Sequence, residues 1–179
     1  MSQKTVILNA QEIEQSIGRI AQAVLQKHRG DDSLALVGIW TRGVYLARRL
    51  AKVLEAAGSP SFPCGAMDIT LYRDDWTRLA YQPVLSSTEI PFSLDGRTVI
   101  LVDDVLFTGR TIRSALDALI DFGRPDRIEL AVLVDRGHRE LPLCADFVGK
   151  KVETTRSQRV NVYLAETDAA DEVLLEDPA

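Results

Sequence analysis

Apolar positions change their period along the chain, and the changes mark an alternation of helices and strands. Ile13, Ile17, Ile20, Ala21, Val24 and Leu25 share one stripe of a helix ending near Gly30. Leu34 to Ile39 is an uninterrupted apolar run, as in a strand covered on both faces. Thr41-Arg42-Gly43 then leads into a second helix with the stripe Val44, Ala47, Leu50, Ala51 and Leu54. Met67 to Leu71 alternates with a period of two and predicts a half-exposed strand. The polar stretch from Arg73 to Arg97 exceeds an ordinary loop of about 12 to 15 residues and predicts a flap, with Pro83–Leu85 and Ile90–Phe92 as candidate hairpin strands. Thr98 to Val102 is the clearest buried strand. Ile112, Ala115, Leu116, Leu119 and Ile120 make a third helical stripe, stopped by Gly123 and Pro125, and Ile128 to Val134 is another apolar run. Strands alternating with helices predict an α/β fold, a twisted, mainly parallel sheet with helices on both faces. Ligands of such sheets sit at the carboxyl ends of the strands. Three chemically rich loops follow such ends: Thr41-Arg42-Gly43, Asp103 to Thr111, and Asp135 to Arg139.

Composition sharpens this picture. The 179 residues contain no repeat or low-complexity linker, so the expected unit is a single domain over residues 1–165, with the flap at about 72–97 and an acidic tail at 166–179. The net charge is −5, but residues 166–179 hold six acids and no base, which leaves 1–165 at +1. The total therefore argues only against nonspecific coating of nucleic acid. Cys64 and Cys144 are too few for a disulfide framework and are expected to be small buried residues in a reducing compartment. No leader pattern is present, and no apolar run approaches the roughly 20 residues that span a bilayer, so a cytoplasmic location is expected, with no membrane partner.

The chemistry concentrates in Val99-Ile100-Leu101-Val102-Asp103-Asp104-Val105-Leu106-Phe107-Thr108-Gly109-Arg110-Thr111. A buried strand delivers two adjacent carboxylates, and a Thr-Gly-Arg-Thr turn opens a helix whose first N–H groups can cradle a phosphate. Carboxylates repel phosphate but accept hydrogen bonds from sugar hydroxyls, so the two ends suit a ribose 5-phosphate. A lone Asp ending a strand or a lone Thr capping a helix would be ordinary structure; here all the parts occur together. Neither the G-x-x-x-x-G-K-[ST] nor the G-x-G-x-x-G loop is present. A phosphoacceptor receiver domain could end a strand with Asp but does not require Thr-Gly-Arg-Thr. The stretch resembles the phosphoribosyl pyrophosphate (PRPP) motif of type I phosphoribosyltransferases.

Gly38 to Gly43, Asp68 to Asp75 and Val132 to Pro142 narrow the resemblance to the PyrR family, pyrimidine operon attenuation regulators that are also uracil phosphoribosyltransferases. The resemblance runs from about Lys4 to Val162 and stops short of the acidic segment. It implies that Thr41, Arg42 and Gly43 hold the pyrophosphate of PRPP and Asp103 and Asp104 the ribose hydroxyls. Val105, Leu106, Phe107, Thr108, Gly109, Arg110 and Thr111 would hold the 5-phosphate, with Mg²⁺ carried on the substrate and no metal site of protein ligands. Arg136 and the backbone near Val160 would frame uracil; for Arg136 alone a surface ion pair is the plain alternative. Arg73, Asp74 and Arg78 belong to the implied flap. Asp104 and Arg42 are the residues with the strongest claim to a catalytic part. His28, His138 and Trp40 are expected to be structural or exposed.

The same resemblance implies a homodimer or homotetramer that binds pyrimidine leader mRNA, more tightly with UMP or UTP bound. Arg19, Arg139 and Lys150 match its RNA-facing positions, and residues 136–159 are locally +3. Several positions depart from the family pattern: Gly18, Gln22, Cys144 and Glu153 stand where RNA contacts are common. An enzyme or nucleotide sensor that has lost RNA binding is therefore the alternative.

Overall fold

The computed structural model describes residues 3–72 and 87–178. The chain begins with β1 (Lys4–Leu8) and α1 (Ala10–Lys27), which starts at a capping box: Asn9 accepts from the Glu12 N–H while the Glu12 carboxylate accepts from that of Asn9. Then come β2 (Leu34–Ile39), α2 (Arg42–Ala56), β3 (Cys64–Met67), β4 (Thr98–Leu106), α3 (Arg110–Phe122) and β5 (Arg127–Asp135). The remainder is β6 (Phe147–Lys151), β7 (Arg159–Tyr163), the short α4 (Ala165–Asp168) and β8 (Glu172–Glu176).

Among the described residues, five parallel strands form one sheet in the order β3-β2-β4-β5-β6. Its two faces are covered separately. One packs on α1 and α2 through Ile13, Ile17, Leu46, Leu50, Ile100 and Leu133, the other on α3 through Ile112, Leu119, Leu101 and Val132. Burial on both faces explains why β2 and most of β4 and β5 are continuous apolar runs. The expected doubly covered, mainly parallel sheet is what the chain builds.

Three differences from the sequence reading have local causes. The predicted strand over Met67–Leu71 is displaced: β3 ends at Met67, because the Asp68 carboxylate accepts from the Thr70 N–H at 2.8 Å and starts a 3-10 turn at Thr70–Tyr72. The segment 87–97, expected to be flap, lies along the β3 edge with a single antiparallel bridge between Glu89 and Ala66, and Leu94 is buried. Pro83–Leu85 lies outside the described residues. Cys64 is half-buried and Cys144 is exposed, so Cys144 is not the buried residue expected.

The largest correction concerns residues 166–179. They are not a tail. β8 is the middle strand of an antiparallel sheet ordered β1-β8-β7, and Val173 and Leu164 are completely buried against the α1/α2 face. The acids of this segment find cations: Arg49 on α2 meets Glu166 at 2.5 Å and Asp171 at 2.8 Å, and Lys4 meets Glu176 at 2.7 Å. No described helix is long and apolar enough to cross a membrane.

A variant ending at Ala169 removes the strand that pairs with both β1 and β7. It is expected to lose at least ~3 kcal/mol, roughly 6–12 °C in Tm, by urea and thermal unfolding; an unchanged midpoint would show that β8 contributes nothing.

Candidate active site

β4 carries its apolar run past the sheet's carboxyl edge and ends in carboxylates. Asp103 is buried and accepts from the Asp104 N–H at 2.9 Å; Asp104 is half-buried and accepts from the Val105 N–H at 2.8 Å. Burial pushes the Asp103 carboxyl well above the usual range, and the neighbouring Asp104 charge pushes it further. Asp104 is also raised by burial, with the Val105 N–H and the Arg42 charge pulling the other way. Two adjacent acids in this state favour an arriving hydroxyl donor or cation.

The loop from Val105 to Thr111 turns its carbonyls away from the site. The Leu106 carbonyl accepts from the Arg136 N–H at 3.1 Å, that of Phe107 from Arg139 Nη1 at 2.8 Å, and that of Thr108 from the Glu140 N–H at 2.9 Å. Gly109 makes the turn at φ +92°, in the left-handed region that favours glycine, and α3 then begins without a side-chain cap. Gly109 at the N-cap offers no side-chain oxygen, and the Arg110 N–H makes only a long contact of 3.4 Å to the Thr108 hydroxyl, so this helix start suits a dianionic phosphate. Thr108 and Thr111 are half-buried beside it.

Across from β4, the turn from β2 into α2 presses against the sheet. The Trp40–Thr41 peptide is cis. A Cβ on Gly43 would lie 2.4 Å from the Val102 carbonyl oxygen, and one on Gly38 would lie 2.4 Å from the Val44 Cα. Glycine at both positions brings Arg42 to the acids of β4. Arg42 pairs with Asp168 of α4 through Nε at 3.1 Å and Nη2 at 2.9 Å, above the Tyr163 ring. Trp40 packs edge-on against Tyr45, as a structural residue would.

At the third strand end Arg136 is buried rather than part of a surface ion pair. Its guanidinium lies 4.0 Å from the Phe107 ring centre and donates to the Thr155 carbonyl at 3.0 Å, while Nε is buried without a partner among the described residues. Burial lowers its pKa. An unpaired buried donor is costly and leaves one bond to offer. Val160 is half-buried on β7 against the α1/α2 side of the core. His138 contacts the Thr154 carbonyl at 2.7 Å, and His28 contacts the Glu129 carboxylate at 2.7 Å; both fit structural duties.

The RNA candidates separate in space. Arg19 on α1 donates to the Gly149 carbonyl of β6 at 2.8 Å, next to Lys150, which donates to the Ile7 carbonyl at 2.8 Å. Arg139 instead braces the 105–111 loop through the Phe107 carbonyl, and it also pairs with Asp135 at 2.6 Å. Arg73, Asp74 and Arg78 lie outside the described residues. Sequence reasoning missed Asp168, whose only signal was an acid-rich composition that also suits a solvated tail.

Sheet order, carboxylate pair and uncapped helix together define a phosphoribosyltransferase. The family described as "Phosphoribosyl transferase domain" matches residues 3–167. Solved structures share the fold: hypoxanthine phosphoribosyltransferase of Trypanosoma cruzi at a TM-score of 0.73, with 18% identity over 98% of this chain and 97% of that one, and that of Staphylococcus aureus at 0.70, with 20% identity over 95% and 90%. Sequence similarity is closer to proteins named "Bifunctional protein PyrR". The Desulfosudis oleivorans protein is 53% identical over 99% of both chains, the Deinococcus deserti protein 55% over 97% of this chain and 95% of that protein, and the Thermus thermophilus protein 54% over 96% and 95%. The chain belongs to the PyrR family. The match to the Desulfosudis oleivorans protein covers 99% of this chain, more than the span from Lys4 to Val162 expected from the motifs.

The buried acids make a pH prediction. Because the folded-state pKa values of Asp103 and Asp104 are raised, the folded protein holds more protons than the unfolded one above about pH 4. Their contribution to stability is complete below that pH and is lost as pH rises through the folded values. Asp168, held down to about 2 by the Thr167 hydroxyl and Arg42, acts oppositely, its stabilisation disappearing only in strong acid. Asp103→Asn is expected to raise the neutral-pH Tm by about 2–4 °C per kcal/mol recovered and to flatten the decline as pH rises above about 4; the check is thermal unfolding against pH.

Proposed function

We propose that this protein makes UMP and pyrophosphate from uracil and PRPP, and that it also acts as a uridine-nucleotide-dependent regulator that binds pyrimidine leader mRNA. The observation that carries the enzymatic reading is the facing of Asp103 and Asp104 at the end of β4 with Arg42 at the start of α2, beside the uncapped start of α3. In this reading α3 takes the 5-phosphate, the two carboxylates accept the ribose hydroxyls, and Thr41, Arg42 and Gly43 take the diphosphate. Mg²⁺ arrives as part of the substrate, bound by diphosphate and hydroxyl oxygens. Uracil enters between Arg136 and the backbone at Val160, with the free Arg136 Nε as a donor to a carbonyl oxygen.

A ring nitrogen of uracil forms the bond to the anomeric carbon and gives up its proton to solvent as the bond to the diphosphate oxygen breaks, the electron pair of that bond leaving on pyrophosphate, through a transition state with oxocarbenium character. The residues position two reactants and neutralise departing charge, with no protein nucleophile. Asp104→Asn is expected to raise KM for PRPP and lower kcat, each by about tenfold or more, in a UMP-formation assay. Failure of the wild-type protein to form UMP at high concentration would refute the reading.

The regulatory reading is supported by the word "Bifunctional" in the relatives' names and by the adjacency of Arg19 and Lys150 on the α1–β6 surface. Each good phosphate or base contact is worth about 1–3 kcal/mol, so Gly18, Gln22, Cys144 and Glu153 weaken it. Titration with leader RNA at fixed salt is expected to show tighter binding with UMP than without. Affinity equal to that for a scrambled RNA would leave an enzyme or nucleotide sensor alone.

A further inference from the structure

We infer that Asp168 is a positioning residue for PRPP: it grips one edge of the Arg42 guanidinium so that the other edge faces the diphosphate. The inference rests on the phosphoribosyltransferase reading and goes beyond it, because it assigns a part in substrate binding to the C-terminal segment.

The Arg42 guanidinium has two usable edges. Nε and Nη2 form the side edge, and Nη1 and Nη2 the end edge. Asp168 takes the side edge, Oδ2 accepting from Nε at 3.1 Å and Oδ1 from Nη2 at 2.9 Å. Among the described residues Arg42 makes no other hydrogen bond through its side chain, so Nη1 and the second N–H of Nη2 remain available as a fork. That fork matches two oxygens of a diphosphate.

The carboxylate itself is fixed. Its Oδ2 also accepts from the Leu164 N–H at 3.1 Å and from the Thr167 hydroxyl at 2.6 Å, and Tyr163 lies beneath the guanidinium, 5.9 Å from ring centre to Cζ. The backbone behind it is anchored as well, because Leu164 is completely buried. Arg42 is half-buried, a long side chain that would otherwise sample several rotamers before substrate arrives. Holding it in one conformation transfers that ordering cost from the binding step to folding. The low pKa of Asp168 keeps the grip intact through the neutral range.

Two oppositely charged neighbours thus bracket Arg42, with Asp168 on the side of α4 and Asp104 across the site. When PRPP binds, the ribose hydroxyls engage the Asp104 side and the diphosphate the free edge. Asp168 need not leave, and this distinguishes a support from a competing anion that substrate must displace.

The test uses the full chain with Asp168→Asn, Arg42→Gln, the double variant, and Arg49→Gln as a control that loosens the same segment without touching Arg42. Initial rates of UMP formation give KM for each substrate, and calorimetry with inorganic pyrophosphate gives binding without turnover. For Asp168→Asn, KM for PRPP and Kd for pyrophosphate are expected to rise roughly tenfold, with KM for uracil within about twofold of wild type. In the Arg42→Gln background the same change is expected to add nothing, as for a residue acting through Arg42. Arg49→Gln is expected to lower Tm while leaving KM for PRPP within about twofold. An unchanged or lowered KM for PRPP in Asp168→Asn, or an equal rise in Arg49→Gln, overturns the inference while leaving the enzymatic reading standing. A wild-type chain that neither turns over PRPP nor binds pyrophosphate overturns both.

Discussion

The backbone of the β2–α2 turn runs so close to β4 that a methyl group on Gly43 would lie 2.4 Å from the Val102 carbonyl oxygen. This contact sets the geometry of the whole site. It brings the first residue of α2 to the place where β4 stops being apolar, so that a guanidinium and two carboxylates share one small region at the sheet's edge. The parallel register of β2, β4 and β5 puts their carboxyl ends side by side, and the three loops inherit that proximity. The doubly covered sheet makes the backbone rigid enough to hold acids in a state they would not choose in water.

The elements legible in the sequence are those whose environment is uniform. β2 and the first part of β4 are buried on both faces, so every position is apolar, and α1 to α3 each show one clean stripe. The motif between Val99 and Thr111 was legible because strand, acids, glycine turn and helix start are consecutive. β1, β7 and β8 were not. Each is five residues long with a mixed burial pattern, and charged residues at their ends mask the few apolar positions that pack. Asp68 shows the same limit on a smaller scale: an alternating pattern extends through it, yet its carboxylate captures a nearby N–H and ends the strand. Arg136 and Arg139 stand out in their motif, but their burial and contacts depend on the Phe107 ring and on the Leu106 and Phe107 carbonyls, about thirty residues away in the chain.

Charge gives the clearest case of meaning that depends on partners. The six acids after residue 165 account for more than the whole net charge of −5, and as a string they suggest solvated chain. In the fold, Glu166, Asp168, Asp171 and Glu176 each find a cation from α2 or β1. Exposed pairs of this kind contribute little individually, but here they flank a strand anchored by the buried Val173, which fixes their geometry. The segment is best regarded as a strap with an apolar inner side and a charged margin.

The antiparallel sheet joins the start of the chain to its end, with β8 between β1 and β7. Neither β1 nor β7 has its partner until Glu172 to Glu176 have been made, and Arg42 has no Asp168 until the ribosome is more than a hundred residues past it. The parallel sheet can gather earlier, from strands complete by residue 151. During synthesis the carboxylate pair and the 105–111 loop can therefore come together before the cation opposite them is secured. A nascent chain stalled in that interval would hold half of the proposed site with unpaired strands beside it, the condition in which chaperones and proteases recognise an unfinished protein.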